Sequence, residues 1–185
     1  YKDKNAVLRT TQRNLPVAAR ARLCVQGQGC PDNLKGLSRT DAPCISRTSV
    51  FCLLQVAANL GWLSNLLKGD VSSAFLQGRK REVSDPLYMC QPSRGLPGLK
   101  PGQLCLIEKG VFGLPDAPRA WFDEFARVMQ QELLWEESAL DASLFYLRCS
   151  ETQKLIAMLC VHVDDILVVS DGGEVSAAAV KTLNE

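Results

Sequence analysis

The chain has 185 residues, 46% of them hydrophobic, which is enough for one compact domain with a core. Its net charge of +1 is unevenly spread: residues 1–50 carry nine Lys/Arg and three Asp, and residues 123–185 carry four Lys/Arg and twelve Asp/Glu. This distribution favours a protein that binds polyanions through its N-terminal part and metal ions through its C-terminal part; the alternative is an uneven charge with no nucleic-acid partner. No apolar run reaches membrane-spanning length, and one histidine with no C-x-x-C pair argues against structural zinc.

The first half of the chain predicts a strand, a helix and an extended segment. Arg20–Val25 is typical of a short strand. Apolar residues at helical spacing predict a helix over Ser46–Leu60, capped by Ser46 or Thr48 and ended by Gly61. Residues 62–74 are expected to be extended, with Asp70 near the end.

The second half predicts short strands around one long helix. Strands are expected near Leu87–Met89 and at Leu104–Ile107, and loop elsewhere over 78–103. A helix should follow Pro115–Pro118, with Asp116 as its cap and Pro118 in its first turn. Three further strands are expected over 144–147, 155–161 and 166–169. Without regular βαβ alternation, this order indicates the α+β class.

Asp164 and Asp165 interrupt the apolar run from Leu155 to Val169. Buried carboxylates need neutralisation, so we interpret the run as strand, tight turn and strand with the acidic pair at the turn. Such a hairpin can offer hard oxygen ligands to Mg²⁺ or Mn²⁺. The alternative is an ordinary solvated acidic turn. Asp70, at a strand end, could supply a third carboxylate for two ions.

The ordered motifs resemble the reverse transcriptase domain of copia-type LTR retrotransposons. They cover roughly residues 20–170 and comprise Ala21-Arg-Leu-Cys24, Asp70-Val-Ser-Ser-Ala-Phe-Leu-Gln-Gly78, Phe112-Gly-Leu-Pro-Asp-Ala-Pro-Arg-Ala-Trp121, Asp141-Ala-Ser-Leu-Phe145 and His162-Val-Asp-Asp165. The resemblance implies an RNA-directed DNA polymerase domain of a Pol polyprotein. Its fold would be fingers and palm, with 1–60 fingers-like, 61–77 and 104–185 palm-like, and the thumb missing.

The resemblance also implies the site residues. Asp70, Asp164 and Asp165 would be the catalytic carboxylates and the ligands of two Mg²⁺ or Mn²⁺ ions, with Asp165 close to the primer end. Four residues would bind the nucleotide: Arg22, Phe75, Gly113 and Arg119.

Three of these assignments have alternatives. Arg22 could hold the triphosphate, but it could also be a solvated strand arginine, and Arg20 competes for the same role. Phe75 could exclude a ribose 2′-hydroxyl or be a core aromatic. Arg119 could be a surface helix residue.

The implied partners are an RNA or DNA template with its primer, deoxynucleoside triphosphates and other segments of the same polyprotein, with no membrane. The implied location is intracellular: cytoplasmic, in virus-like particles, or nuclear. Tyr1 in place of Met and a helical pattern starting near Glu185 suggest that the chain was cut from something longer.

Two other functions compete with the polymerase. One is a catalytically inactive relic or domesticated nucleic-acid-binding fragment. The other is a diphosphate enzyme with a D-D-x-x-D helix, which Val168 at the third acidic position disfavours.

The chain departs from the family pattern at several positions. His162 replaces a common Tyr before Val-Asp-Asp, Ala142 replaces Pro, and Cys24 and Cys30 replace aliphatic or polar residues. None of these changes removes a catalytic carboxylate.

Overall fold

The computed structural model describes residues 22–30, 36, 39–84 and 86–183. Its α-helices are α1 (Arg47–Asn59), α2 (Ala74–Gln77), α3 (Ala117–Arg127) and α4 (Glu174–Thr182). Its strands are β1 (Leu67–Asp70), β2 (Leu87–Met89), β3 (Cys105–Ile107), β4 (Glu136–Glu137), β5 (Leu144–Arg148), β6 (Leu155–His162) and β7 (Asp165–Ser170). Two short 3₁₀ turns lie at Gly27–Gly29 and Trp62–Asn65, and a π-helical turn at Val128–Glu132 continues α3.

The main sheet has five antiparallel strands in the order β1-β7-β6-β5-β4. The smaller sheet pairs β2 with β3, also antiparallel. The α+β prediction is therefore confirmed. Within the described ranges, every helix is too short or too polar to cross a membrane.

The apolar run of β6 is explained by burial on both faces of the sheet. Ala157, Leu159 and Val161 belong to the core that contains the aromatic side chains of α3. Met158 and Cys160 pack on the opposite face, in the core that contains α1. A central strand covered on both sides carries apolar residues at every position, so its sequence shows no alternation.

The helix α1 forms where its sequence predicts. Ser46 caps it, because the Ser46 Oγ accepts a hydrogen bond from the Ser49 N–H at 3.0 Å. Leu53 and Ala57 are fully buried against the sheet. After the helix, Gly61 adopts φ +74°, a left-handed conformation that glycine reaches without strain.

Asp141 joins the start of α1 to the loop before β5. Its carboxylate accepts hydrogen bonds from the Ser46 N–H (3.0 Å), the Ser49 hydroxyl (2.6 Å) and the Ser143 N–H (3.1 Å). Burial raises the pKa of Asp141, but the hydrogen bonds from Ser49, Ser46 and Ser143 outweigh it and hold this pKa below its usual value. Asp141, the first residue of the motif Asp141–Phe145, therefore holds the start of α1 against the loop before β5.

The helix α3 begins after Pro115–Asp116 and carries Pro118 in its first turn, as predicted. Its apolar stripe buries Trp121, Phe122 and Phe125. Asp116 occupies the N-cap position of α3, but the predicted side-chain cap is wrong, because the Asp116 carboxylate accepts no hydrogen bond from the first turn of the helix. It instead accepts a hydrogen bond from Arg81 Nη1 at 2.7 Å.

Other segments differ from their sequence predictions. Arg20 lies outside the described residues, and residues 22–26 are not a strand; Val25 donates one backbone hydrogen bond to Phe112 O. Residues 62–74 contain a 3₁₀ turn, β1 and the start of α2.

The cysteines range from buried to exposed. Cys160 is buried, and this burial raises its pKa to about 11. Four cysteines are exposed: Cys24, Cys44, Cys52 and Cys90.

Candidate active site

The acidic pair lies at the tight turn between β6 and β7, as the sequence predicts. Val163 and Asp164 form the turn, and His162 is the register partner of Asp165. Val163 has φ +60°, which is strained for a β-branched residue. The turn therefore needs support from its surroundings.

Trp121 supplies that support from α3. Its indole Nε1–H donates a hydrogen bond to the Val163 carbonyl at 2.7 Å. The Trp121 ring is largely buried in the core beneath the sheet, 5.6 Å from the ring of Phe125. The conformation of the acidic turn is thus coupled to the packing of α3.

Asp70 reaches the same turn from β1. In the β1–β7 ladder Asp70 lies opposite Asp165, and the next residue, Val71, donates its N–H to the Asp164 carbonyl at 2.8 Å. Asp70 and Asp164 are both exposed, and both line one cleft. The structure therefore brings these two predicted carboxylates to the same end of the sheet.

Asp165 differs from the other two acids. Its carboxylate Oδ1 lies 2.8 Å from Lys68 Nζ, and Asp165 is not among the residues that line the cleft. Across the described ranges, no three potential ligands are gathered as a metal-binding group. As a donor set, the exposed oxygens of Asp70 and Asp164 fit a hard divalent ion, whereas Asp165 is already neutralised by a cation.

The cleft has a volume of about 1140 Å³ and is lined by an aromatic and cationic cluster as well as by the carboxylates. The guanidinium of Arg22 lies over the Phe112 ring, 4.3 Å from its centroid. The rings of Phe112 and Phe75 meet edge to face at 5.5 Å. Arg22, Phe75, Asp70 and Asp164 therefore share one cavity.

Phe75 has features of both its interpretations. It lies in the first turn of α2, which follows Ser73 at φ +55°, and it lines the cleft. It is also half-buried and packs against two hydrophobic clusters. Its position is therefore compatible with both interpretations.

Gly113 positions the segment that carries Arg22. Its φ is +95°, and a Cβ built there would lie 1.9 Å from the Val25 carbonyl oxygen. A Cβ at Gly27 would similarly lie 2.1 Å from the Gly113 oxygen. The two backbones approach this closely because both positions lack a side chain.

Arg119 lies outside the cleft. Its Nε is 2.7 Å from Asp123 Oδ1, one helical turn along α3, and its Nη1 donates to the Asp41 carbonyl at 3.1 Å. These contacts fit the alternative of a helix residue without a role in the cleft, but the Arg119 side chain is only 20% exposed and so is half-buried rather than on the surface.

Sequence reasoning missed Lys68, Phe112 and the hydrogen bond of Trp121. Lys68 could have been found by strand alternation, because it precedes Asp70 by two residues and therefore faces the same side. For the D-D-x-x-D alternative, Val168 lies within strand β7, so the helix that this chemistry uses is absent at that place.

Trp121 provides a direct test of the support for the turn. We expect Trp121→Phe to lower the free energy of unfolding by about 1–2 kcal/mol more than Trp135→Phe, measured by urea unfolding. Trp135 is the matched control, because its buried Nε1 has no hydrogen-bond partner within the described part of the chain. Equal losses in the two variants would mean that the bond to Val163 contributes nothing to stability.

Comparison with known proteins gives consistent matches. The family model described as "Reverse transcriptase (RNA-dependent DNA polymerase)" matches residues 5–183. Among curated proteins, the chain is similar to two Arabidopsis thaliana proteins, the Retrovirus-related Pol polyproteins from transposon RE1 (34% identical over 152 residues) and transposon RE2 (36% over 152). It is also similar to the Retrovirus-related Pol polyprotein from transposon TNT 1-94 of Nicotiana tabacum, at 31% over 155 residues.

The matches cover much of this chain and little of its relatives. They span 82% of the chain for the two Arabidopsis proteins and 83% for the tobacco protein. The same segments are 10%, 10% and 11% of those proteins, so the chain spans about a tenth of their length. No solved structure matches the chain.

Proposed function

The chain belongs to the reverse transcriptase (RNA-dependent DNA polymerase) family, and we propose that it is the RNA-directed DNA polymerase domain of a retrotransposon Pol polyprotein. One observation carries the proposal. Asp70 and Asp164, which are far apart in sequence, meet at one end of the sheet and line a cleft that also contains Arg22 and Phe75.

The carboxylates would hold the metal. Asp70 and Asp164 supply oxygen ligands from a strand end and a tight turn that is itself anchored by Trp121. Two Mg²⁺ or Mn²⁺ ions bound there would activate a primer 3′-hydroxyl and stabilise the leaving pyrophosphate. We assign Asp165 to the same catalytic set, close to the primer end, with its charge balanced by Lys68.

The aromatic and cationic cluster of the cleft would hold the nucleotide. Arg22 offers a fork of donors to triphosphate oxygens, and its stacking on Phe112 limits the directions in which those donors point. Phe75 presents its ring to the cleft where a sugar would lie, so it would exclude a 2′-hydroxyl by contact. Gly113 keeps the Arg22 segment in place, and Arg119, which belongs to the same family motif, would support the nucleotide from α3.

The same proposal includes the subdomains and partners. Residues 1–60 would form the fingers, and 61–77 with 104–185 the palm. The partners would be a primed RNA or DNA template, deoxynucleoside triphosphates and other segments of the polyprotein. The location would be intracellular: cytoplasmic, in virus-like particles, or nuclear.

A second candidate is a relic or domesticated nucleic-acid-binding fragment without catalysis. The observation that favours it is the pairing of Asp165 with Lys68, which leaves two rather than three carboxylates open to a metal. A relic would retain the fold and bind primer–template without requiring a divalent ion.

Primer extension tests the proposal. On poly(rA)·oligo(dT) with Mg²⁺ and then Mn²⁺, we expect addition of dTMP and no comparable addition of dCMP, because the template directs the incoming base. Binding of the primer–template with no extension in either metal would instead support the relic.

A further inference from the structure

We propose that Lys68 is a positioning residue that tunes the metal affinity of the carboxylate site: it occupies Asp165 and weakens divalent-cation binding at Asp70 and Asp164. This inference rests on the proposed function, because it assumes that Asp70 and Asp164 bind the ion.

The sheet register places Lys68 on the face that carries Asp70 and Asp165. Side chains two positions apart on a strand share a face, so Lys68 and Asp70 lie on the same side of β1. Asp70 and Asp165 are register partners, and Lys68 is the partner of Leu167. Lys68 therefore reaches Asp165 diagonally across the ladder, and their charged atoms lie 2.8 Å apart.

The charge of Lys68 interacts with all three acids. Its pKa is raised chiefly by the hydrogen bond and charge of Asp165, and further by the charges of Asp70 and Asp164. The attraction is mutual, so the ammonium already supplies part of the positive charge that the acids would otherwise take from a metal. Among the described residues, ion pairs reach Asp165 but neither Asp70 nor Asp164.

A fixed positive charge beside the site must repel a divalent ion. In a well-solvated environment, Coulomb repulsion between charges of +1 and +2 that lie a few ångströms apart weakens binding by roughly tenfold. The alternative is an ordinary surface ion pair, because the side chains of Lys68 and Asp165 are 69% and 49% exposed. An ordinary pair would leave metal affinity unchanged, so the two interpretations predict different binding constants.

The test is Mn²⁺ titration of the purified chain, followed by the electron paramagnetic resonance signal of free Mn²⁺. We expect Lys68→Gln to bind Mn²⁺ about tenfold more tightly than the unmodified chain, and Lys68→Arg, which keeps the charge, to differ by less than about twofold. Lys154→Gln at the far end of β6 is the matched control and should have no effect. Circular dichroism should show the same fold in all four proteins.

Two results separate failure of this inference from failure of the proposed function. If the unmodified chain extends primers and Asp70→Asn loses its Mn²⁺ binding, but Lys68→Gln binds Mn²⁺ as the unmodified chain does, the role of Lys68 is wrong and the proposed function stands. If neither the unmodified chain nor Lys68→Gln binds Mn²⁺, both are overturned. Tighter binding by Lys68→Gln, with half-maximal extension at a Mg²⁺ concentration about tenfold lower, supports both.

Discussion

Asp70→Asn should reduce primer extension by about a thousandfold while leaving the fold intact. The amide keeps the size of the side chain but loses the negative charge, so under the proposed function a metal ligand and part of the attraction for a divalent ion would be lost. A thousandfold change corresponds to roughly 4 kcal/mol at the transition state, within the range that metal catalysis supplies. The rate of single-nucleotide addition on a primed RNA template measures it.

The stability of the Asp70→Asn variant should change little. Asp70 is exposed at the end of β1, so we expect the free energy of unfolding to change by less than about 0.5 kcal/mol. Glu151→Gln is the matched control, because it removes an exposed carboxylate from the turn between β5 and β6, at the opposite end of β6. If Asp70→Asn extends primers within tenfold of the unmodified chain, Asp70 is not a metal ligand in the reaction.

Gly113→Ala should damage both stability and nucleotide binding. The new Cβ would lie 1.9 Å from the Val25 carbonyl oxygen, and the backbone φ of +95° is itself unfavourable for alanine. The chain must then move residues 22–27, which carry Arg22, away from Phe112. We expect a loss of about 2–3 kcal/mol in urea unfolding and at least about a tenfold rise in the KM for dTTP.

Gly98→Ala separates the effect of backbone strain from the effect of the close contact with Val25. Gly98 has a similar φ of +83°, but a Cβ there meets nothing within 4 Å. We therefore expect a loss of about 1 kcal/mol from backbone strain alone and an unchanged KM for dTTP. If Gly98→Ala and Gly113→Ala have the same effects, the close approach of Gly113 to Val25 has no functional consequence.

The sequence predicts best where one local signal determines the structure. Ser46 and Gly61 bracket α1 because a hydroxyl cap and a left-handed glycine act within a few residues. The hairpin at Asp164 was predictable because two adjacent carboxylates within a long apolar run are costly to bury and therefore favour an exposed turn. That Asp70 could join Asp164 was only a possibility from its place at a strand end, and the family resemblance made it an expectation, since the meeting depends on the pairing of distant strands.

The features that the sequence did not predict depend on competition between tertiary partners. Asp116 has the position of a helix cap, but Arg81 offers its carboxylate a charged partner. Arg119 follows a family motif, yet its guanidinium contacts Asp123 and Asp41, and it is not among the residues that line the cleft. Residues 22–26 have strand-forming composition, but Phe112 offers one backbone hydrogen bond and no continuous ladder.

Single-nucleotide incorporation by the unmodified chain beside Asp164→Asn tests the central claim most directly. The assay uses a primed RNA template with Mg²⁺ and then Mn²⁺. We predict that the unmodified chain adds the complementary deoxynucleotide and that the variant, with an unchanged circular dichroism spectrum, does not. Equal incorporation by both proteins, or incorporation by neither, would contradict the assignment of Asp70 and Asp164 as the carboxylates of a working polymerase site.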